Sequence, residues 1–138
     1  MSKTMRLSLR AGEKVYINGA VLQVDRKVSL ELLNDVVFLM ESHVMQPEET
    51  RTPLRQLYFT IQAMFVDPVN APAARVLFDT YHASTQRHFS SPEILAGLAE
   101  VRAQIDAGRN FDALKTLRTL FPVEDAILAR PAADVRAA

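Results

Sequence analysis

The hydrophobic pattern of this chain changes period once, near residue 45, and that change limits what it can fold into. Before it, apolar residues recur at every second position. Met5, Leu7 and Leu9 alternate with Arg6, Ser8 and Arg10, the pattern of a strand with one covered face. Ala11-Gly12 is a turn signal, and Val15 to Ile17 is a short β-prone run. Asn18-Gly19 is the strongest hairpin signal in the chain, because both residues tolerate positive φ. Val21 to Val24 is the expected return strand, and Asp25-Arg26 a tight reversal. Val28, Leu30 and Leu32 again alternate, Asn34-Asp35 turns the chain, and Val36 to Met40 closes the series. This predicts five short strands in one small antiparallel sheet or open barrel that needs a cover on its apolar face.

After residue 45 the period becomes helical. Gln46 to Arg51 is a polar connection. Thr52-Pro53 is a cap followed by proline at the first helical position. Leu54, Leu57, Tyr58, Ile61, Met64 and Phe65 then form one stripe, ended by Asp67-Pro68. A second helix is expected over 72–87 with Val76, Leu77 and Tyr81 inward. Ser91-Pro92 starts a third, carrying Ile94, Leu95, Leu98, Val101 and Ile105; its Gly97 permits a close crossing, and Gly108 stops it. Asn110 is the expected cap of a fourth helix, with Phe111, Leu114, Leu117, Leu120 and Phe121 on one side. Pro122 kinks or ends it, with 123–130 continuing. The fold class is therefore α+β: a small N-terminal antiparallel β-domain of about five strands, then an all-helical C-terminal region of about four helices. In domains, 1–45 is a basic β-rich candidate RNA-binding domain, 46–131 a helical packing and interaction domain, and 132–138 a flexible tail.

Chemistry is sparse. The chain has no cysteine, so disulfides, thiolate nucleophiles and cysteine zinc sites are excluded. Its histidines, His43, His82 and His88, form no metal-binding spacing and read as half-exposed surface groups. The pairs Glu48-Glu49 and Glu124-Asp125 are adjacent, so they do not converge as catalytic carboxylates do; they read as helix-start or surface charge. None of the four glycines belongs to a phosphate loop, and no nucleophile elbow exists. The expectation is a non-enzyme with no cofactor, no metal and no catalytic residues. No apolar run spans a membrane, and the N-terminus lacks a signal-peptide core, which together predict a cytoplasmic protein.

Net charge is zero, but residues 1–30 hold six bases against two acids. Arg6, Arg10, Lys14, Arg26 and Lys27 could contact phosphate, and Tyr16 could stack on a base, which suits single-stranded RNA. The same residues equally suit the solvated face of a sheet. Arg6 and Arg10 stand an even number apart and so share a strand face. Arg51 and Arg55 are accessory candidates. Phe59 and Phe78 sit beside the main stripes of their helices and are candidates for a protein interface, which suits a protein-binding scaffold or a homodimer, the dimer being the favoured homo-oligomer.

Three segments carry a resemblance. They are Leu9 to Val21, with Gly12-Glu13 and Asn18-Gly19; Glu48 to Asp67, with Arg51-Thr52-Pro53-Leu54-Arg55-Gln56-Leu57-Tyr58-Phe59; and Ile105 to Lys115, with Gly108-Arg109-Asn110-Phe111. In these the chain resembles the FlbT family of bacterial regulators of flagellin synthesis. The resemblance implies a cytoplasmic post-transcriptional regulator acting on the 5′ untranslated leader of flagellin messenger RNA, as a repressor in some bacteria and an activator in others. It also implies a FlaF-type flagellar protein as a partner. A fainter likeness of Gly12-Glu13 and Lys27-Val28-Ser29-Leu30 is to the small carbon-storage regulators, interlocked β-dimers that bind message leaders. That likeness makes Arg6 and Arg10 phosphate or base-edge candidates, and His43 is the nearest match to that group's basic residue after the fifth strand. The competing reading is a protein-interaction adaptor in flagellin regulation or export that does not touch RNA.

Overall fold

The computed structural model describes residues 5–17, 20–34, 36 and 38–130. The chain divides into two compact units, Met1–Val44 and Met45–Ala138.

The first unit holds strands β1 (Met5–Leu9), β2 (Lys14–Ile17), β3 (Ala20–Gln23), β4 (Val28–Leu32) and β5 (Phe38–Met40). They form two antiparallel sheets rather than one: β1 pairs with β4, and β2 pairs with β3 on one side and β5 on the other. The first two ladders share one register. Leu9 faces Val28, Lys14 faces Gln23, and the partner numbers have the same sum throughout. Between the ladders, Gly12 N–H donates to the Val24 carbonyl (2.7 Å) and Val24 N–H to the Glu13 carbonyl (3.2 Å). Residues 5–17 and 20–32 are thus the two arms of one long hairpin that turns a corner. The corner is a turn over Arg10–Glu13, closed by Glu13 N–H to the Arg10 carbonyl (2.9 Å), with Gly12 at φ 82°. A side chain at that φ would be strained, so glycine is required there. Asn18-Gly19 lies outside the described residues, but Ile17 faces Ala20 across it, as a two-residue connection demands. Asp35 and the tail 131–138 also lie outside them.

Alternation decides burial in β1 and β4, while all of β3 is exposed, Val21 and Leu22 included. Leu7, Leu9 and Val15 form a small core, and Ile17, Val24, Val28, Leu30, Leu32, Phe38 and Met40 pack half-buried around it.

The second unit holds α1 (Pro53–Val66), α2 (Ala71–His88), α3 (Pro92–Asp106) and α4 (Asn110–Leu128). α1 packs on α2 and α4, and α3 packs on α4 and, less extensively, α2. Thr52 and Ser91 cap α1 and α3, accepting from the backbone N–H of Arg55 and Ile94. The six apolar residues of the α1 stripe are all buried. Buried Gln62 is satisfied at both ends by one residue: its carbonyl accepts from Met45 N–H (2.6 Å) and its amide donates to the Met45 carbonyl (2.9 Å). Gly108, at φ 75°, ends α3, and Arg109 N–H reaches back to the Gln104 carbonyl (2.7 Å).

Three expectations need correction. α2 buries Ala74, Phe78, His82 and Thr85, while Val76, Leu77 and Tyr81 are 64%, 50% and 37% exposed. The buried stripe contains small and polar residues, so ranking by hydrophobicity selects the wrong face. His82 is accordingly a core residue, its Nε2 2.8 Å from the Leu98 carbonyl. Asn110 is not the cap of α4. Arg109 holds that position without a side-chain cap bond to the helix backbone, and its guanidinium instead pairs with Asp112 in the first turn (2.7 Å). Of the two alternatives at Pro122, ending is excluded: α4 continues through it to Leu128.

The Gly97 position does mark a close crossing. A Cβ there would collide with the Leu120 side chain of α4. Gly97→Val should therefore lower stability by about 2 kcal/mol, the usual scale of overpacking, read as a reduced midpoint in urea unfolding.

Candidate nucleic-acid interface

The cations of the first unit lie along the long hairpin, and their partners sort them into two classes. Arg6 and Arg10 both point away from Leu7 and Leu9 and are exposed, as their even spacing requires. Arg6 lies directly opposite Glu31 on β4, and its Nη2 is 3.2 Å from Glu31 Oε2. Arg26 similarly rests on its neighbour Asp25, Nε to Oδ1 3.3 Å. These two are half-neutralised surface pairs.

Arg10, Lys14 and Lys27 make no ion pair among the described residues. Arg10 and Lys14 each have an acid bound to their backbone rather than to their side chain. Glu13 Oε1 accepts the Arg10 backbone N–H (2.9 Å), and Glu41 Oε2 accepts the Lys14 backbone N–H (3.4 Å). Both carboxylates thus fasten the backbone at the corner. The ladder ends at Leu9–Val28, and Arg10 and Lys27 are the next residue on each strand. Like charges at one end of a ladder repel, and an anion beside them lowers that cost. Gln23 Nε2 donates to the Gly12 carbonyl (2.9 Å) and stiffens the same corner.

The basic excess is smaller in the fold than in the sequence. The unit Met1–Val44 contains six bases and five acids, because Glu31, Asp35 and Glu41 return with the later strands. What survives is local, at the corner. Tyr16 is half-buried on the same sheet face as Lys14, between Val21 on β3 and fully buried Leu39 on β5. Its ring is only partly open to a base. His43 is exposed in the turn Glu41–His43 that follows β5.

The accessory and interface candidates separate in the same way. Arg51 is exposed, with Nε donating to the Glu48 carbonyl (3.1 Å). Arg55 is occupied. Its Nη1 reaches Glu124 Oε1 (3.0 Å) and Asp125 Oδ1 (2.8 Å), its Nη2 reaches Asp125 Oδ2 (3.1 Å), and its guanidinium lies 4.5 Å from the Phe121 ring centre. Phe78 is fully buried against His82 and is a core residue of the helical unit. Phe59 is half-buried and lines a groove of about 360 Å³ between α1 and α2, with Gln56, Ala63, Leu77 and Tyr81.

Glu124 is the residue the sequence reading misplaces. It is not surface charge but is fully buried. Its carboxylate accepts from the Thr52 hydroxyl (2.6 Å), the Leu54 backbone N–H (2.8 Å) and Arg55. It therefore closes the N-terminus of α1 onto α4. Burial raises its pKa, and these hydrogen bonds and Arg55 work against that rise. The signal was present: Glu124 falls in step with Leu117, Leu120 and Ile127 on the buried stripe.

Among the described residues, no group of three or more histidines or carboxylates is placed to hold a metal ion. No described helix is long and apolar enough to cross a membrane.

The family model described as "Flagellar protein FlbT" matches residues 5–128. A protein of Allorhizobium ampelinum named "Probable flagellum biosynthesis repressor protein FlbT" is 51% identical over 128 residues, covering 93% of this chain and 86% of its own. A second FlbT protein, from Bradyrhizobium diazoefficiens, is 50% identical over 131 residues, covering 95% and 96%. One from Agrobacterium fabrum is 46% identical over 129 residues, covering 94% and 87%. No solved structure matches significantly. A match running from the first strand through the last helix, with relatives at half identity over nearly their full length, places this chain in the FlbT family of flagellar proteins.

Proposed function

We propose that this chain regulates flagellin synthesis after transcription, by holding the 5′ untranslated leader of flagellin messenger RNA at the corner of its N-terminal hairpin. The observation that carries the reading is the trio Arg10, Lys14 and Lys27, exposed or half-exposed and without ionic partners among the described residues. Three cations beside a stiffened backbone corner suit a phosphate backbone. Arg6 and Arg26, already leaning on Glu31 and Asp25, are secondary, and Tyr16 supplies a partly open stacking edge. Occupancy of the leader near its ribosome-loading region would reduce initiation and alter nuclease access, so the action is stoichiometric. Repression is the expected sign, in line with the names the relatives carry. The protein works in the cytoplasm, as a homodimer, with a FlaF-type protein as a further partner.

A titration against the flagellin leader and a scrambled leader, at low and moderate salt, tests this. The expected result is tighter binding to the true leader at both salts, with both affinities falling as salt rises. Equal binding to the two RNAs overturns the leader assignment.

The second reading, an adaptor that acts through proteins and not RNA, is favoured by one observation: the groove of Phe59, Leu77 and Tyr81 on the helical unit. It predicts no measurable leader binding at low salt.

A further inference from the structure

The outer face of α2 extends the apolar lining of the Phe59, Leu77 and Tyr81 groove along the whole helix. Ala73, Val76, Leu77, Thr80, Tyr81 and Ser84 are all exposed, and their spacing sets them along one side of the helix. None of the six carries charge. A neighbouring stripe of α2 is already buried in the helical unit through Ala74, Phe78, His82 and Thr85. So α2 has two adjoining stripes, one used and one open, that meet at the groove of Ala74, Leu77 and Tyr81. An open stripe of this length with valine, leucine and tyrosine exposed is unusual on a solvated helix, which ordinarily carries charge there.

We propose that this face is a self-association surface, on which the α2 helices of two copies of this chain pair antiparallel about a two-fold axis. Three features favour a second copy. A two-fold contact must be complementary to itself, so ridge and groove have to lie side by side on one surface. Here Val76 stands out at 64% exposure, and the groove lined by Phe59, Ala63, Leu77 and Tyr81 runs beside it. The absence of charge removes the like-charge clash that self-pairing of a charged stripe would create. With the axis between Leu77 and Thr80, antiparallel pairing sets Ala73 against Ser84, Val76 against Tyr81 and Leu77 against Thr80. Small residues then meet at the ends and larger ones inside. The surface lies wholly in the helical unit, so the inference stands or falls independently of RNA binding.

The chain contains no cysteine, which makes the test clean. Thr80→Cys introduces a single thiol beside the proposed axis. Lys115→Cys, on exposed α4 surface, is the control. Under mild oxidation Thr80→Cys should form a disulfide-linked dimer and Lys115→Cys should not. In sedimentation velocity the unmodified protein should dimerise, and Leu77→Glu, at an exposed position, should weaken the dimer at least tenfold with an unchanged circular dichroism spectrum. A monomer at all concentrations overturns the proposal. So does a dimer indifferent to Leu77→Glu, or a monomer whose α2 face instead binds an apolar helix of another protein.

Discussion

Replacing Glu124 by alanine should lower the unfolding free energy by about 3 kcal/mol, the scale for breaking a buried, hydrogen-bonded charge pair. The carboxylate answers three donors at once: the Thr52 hydroxyl, the Leu54 backbone N–H and the Arg55 guanidinium. Two of these belong to the first turn of α1, where backbone donors have no partner within the helix. Alanine leaves the Leu54 N–H buried with nothing to bind and opens a void beside Thr52. Arg55 retains Asp125, so its own loss is partial. Glu124→Gln keeps an acceptor in place and should cost clearly less. Denaturant unfolding of the two variants beside the parent protein checks the order.

The pH dependence follows from the raised pKa of Glu124. A carboxyl that binds its proton more tightly when folded adds stability below its ordinary range. It loses that contribution as pH rises through its raised value. The stability gap between the parent protein and Glu124→Gln should therefore move in favour of the parent as pH falls from neutrality toward the ordinary glutamate range. Movement in the other direction would mean that Arg55 outweighs burial.

The second large effect concerns the hairpin corner. Arg10→Ala/Lys14→Ala/Lys27→Ala should weaken leader binding about a hundredfold at low salt and flatten its salt dependence, because each lost single-strand phosphate contact removes about 0.7 from the slope. Arg6→Ala/Arg26→Ala removes two cations as well, but ones that already have Glu31 and Asp25 beside them, so its effect should be several-fold only. All five residues lie outside the small core of Leu7, Leu9 and Val15, so both variants should fold. Counting cations alone puts the two effects at three to two; the ion pairs of Arg6 with Glu31 and Arg26 with Asp25 separate them further.

That distinction marks where the sequence is legible. The α1 stripe can be read from periodicity because it is built of leucine, isoleucine, methionine and aromatics, whose burial dominates. The α2 stripe cannot, because Ala74, His82 and Thr85 are held inside by fit and by a hydrogen bond to the Leu98 carbonyl. Glu124 escapes because it is read beside its neighbour Asp125 and not with the stripe it occupies, and because its donors lie about seventy residues away in the chain. On the candidate interface, the faces of Arg6 and Arg10 follow from alternation. The neutralising partner of Arg6 follows only from register. A two-residue connection between Ile17 and Ala20 sets that register, and the shared corner carries it to Glu31. The two-sheet arrangement depends on that corner, where Gly12 signals a turn but not that both arms continue beyond it.

The most direct measurement is the slope of log affinity against log salt for the flagellin leader, taken on the parent protein and on the Arg10/Lys14/Lys27 triple variant. A slope that becomes shallower by about 2 in the triple variant, while Arg6→Ala/Arg26→Ala stays close to the parent, is the predicted result. An unchanged slope in the triple variant, or no leader binding by the parent protein at low salt, would contradict message capture at the hairpin corner.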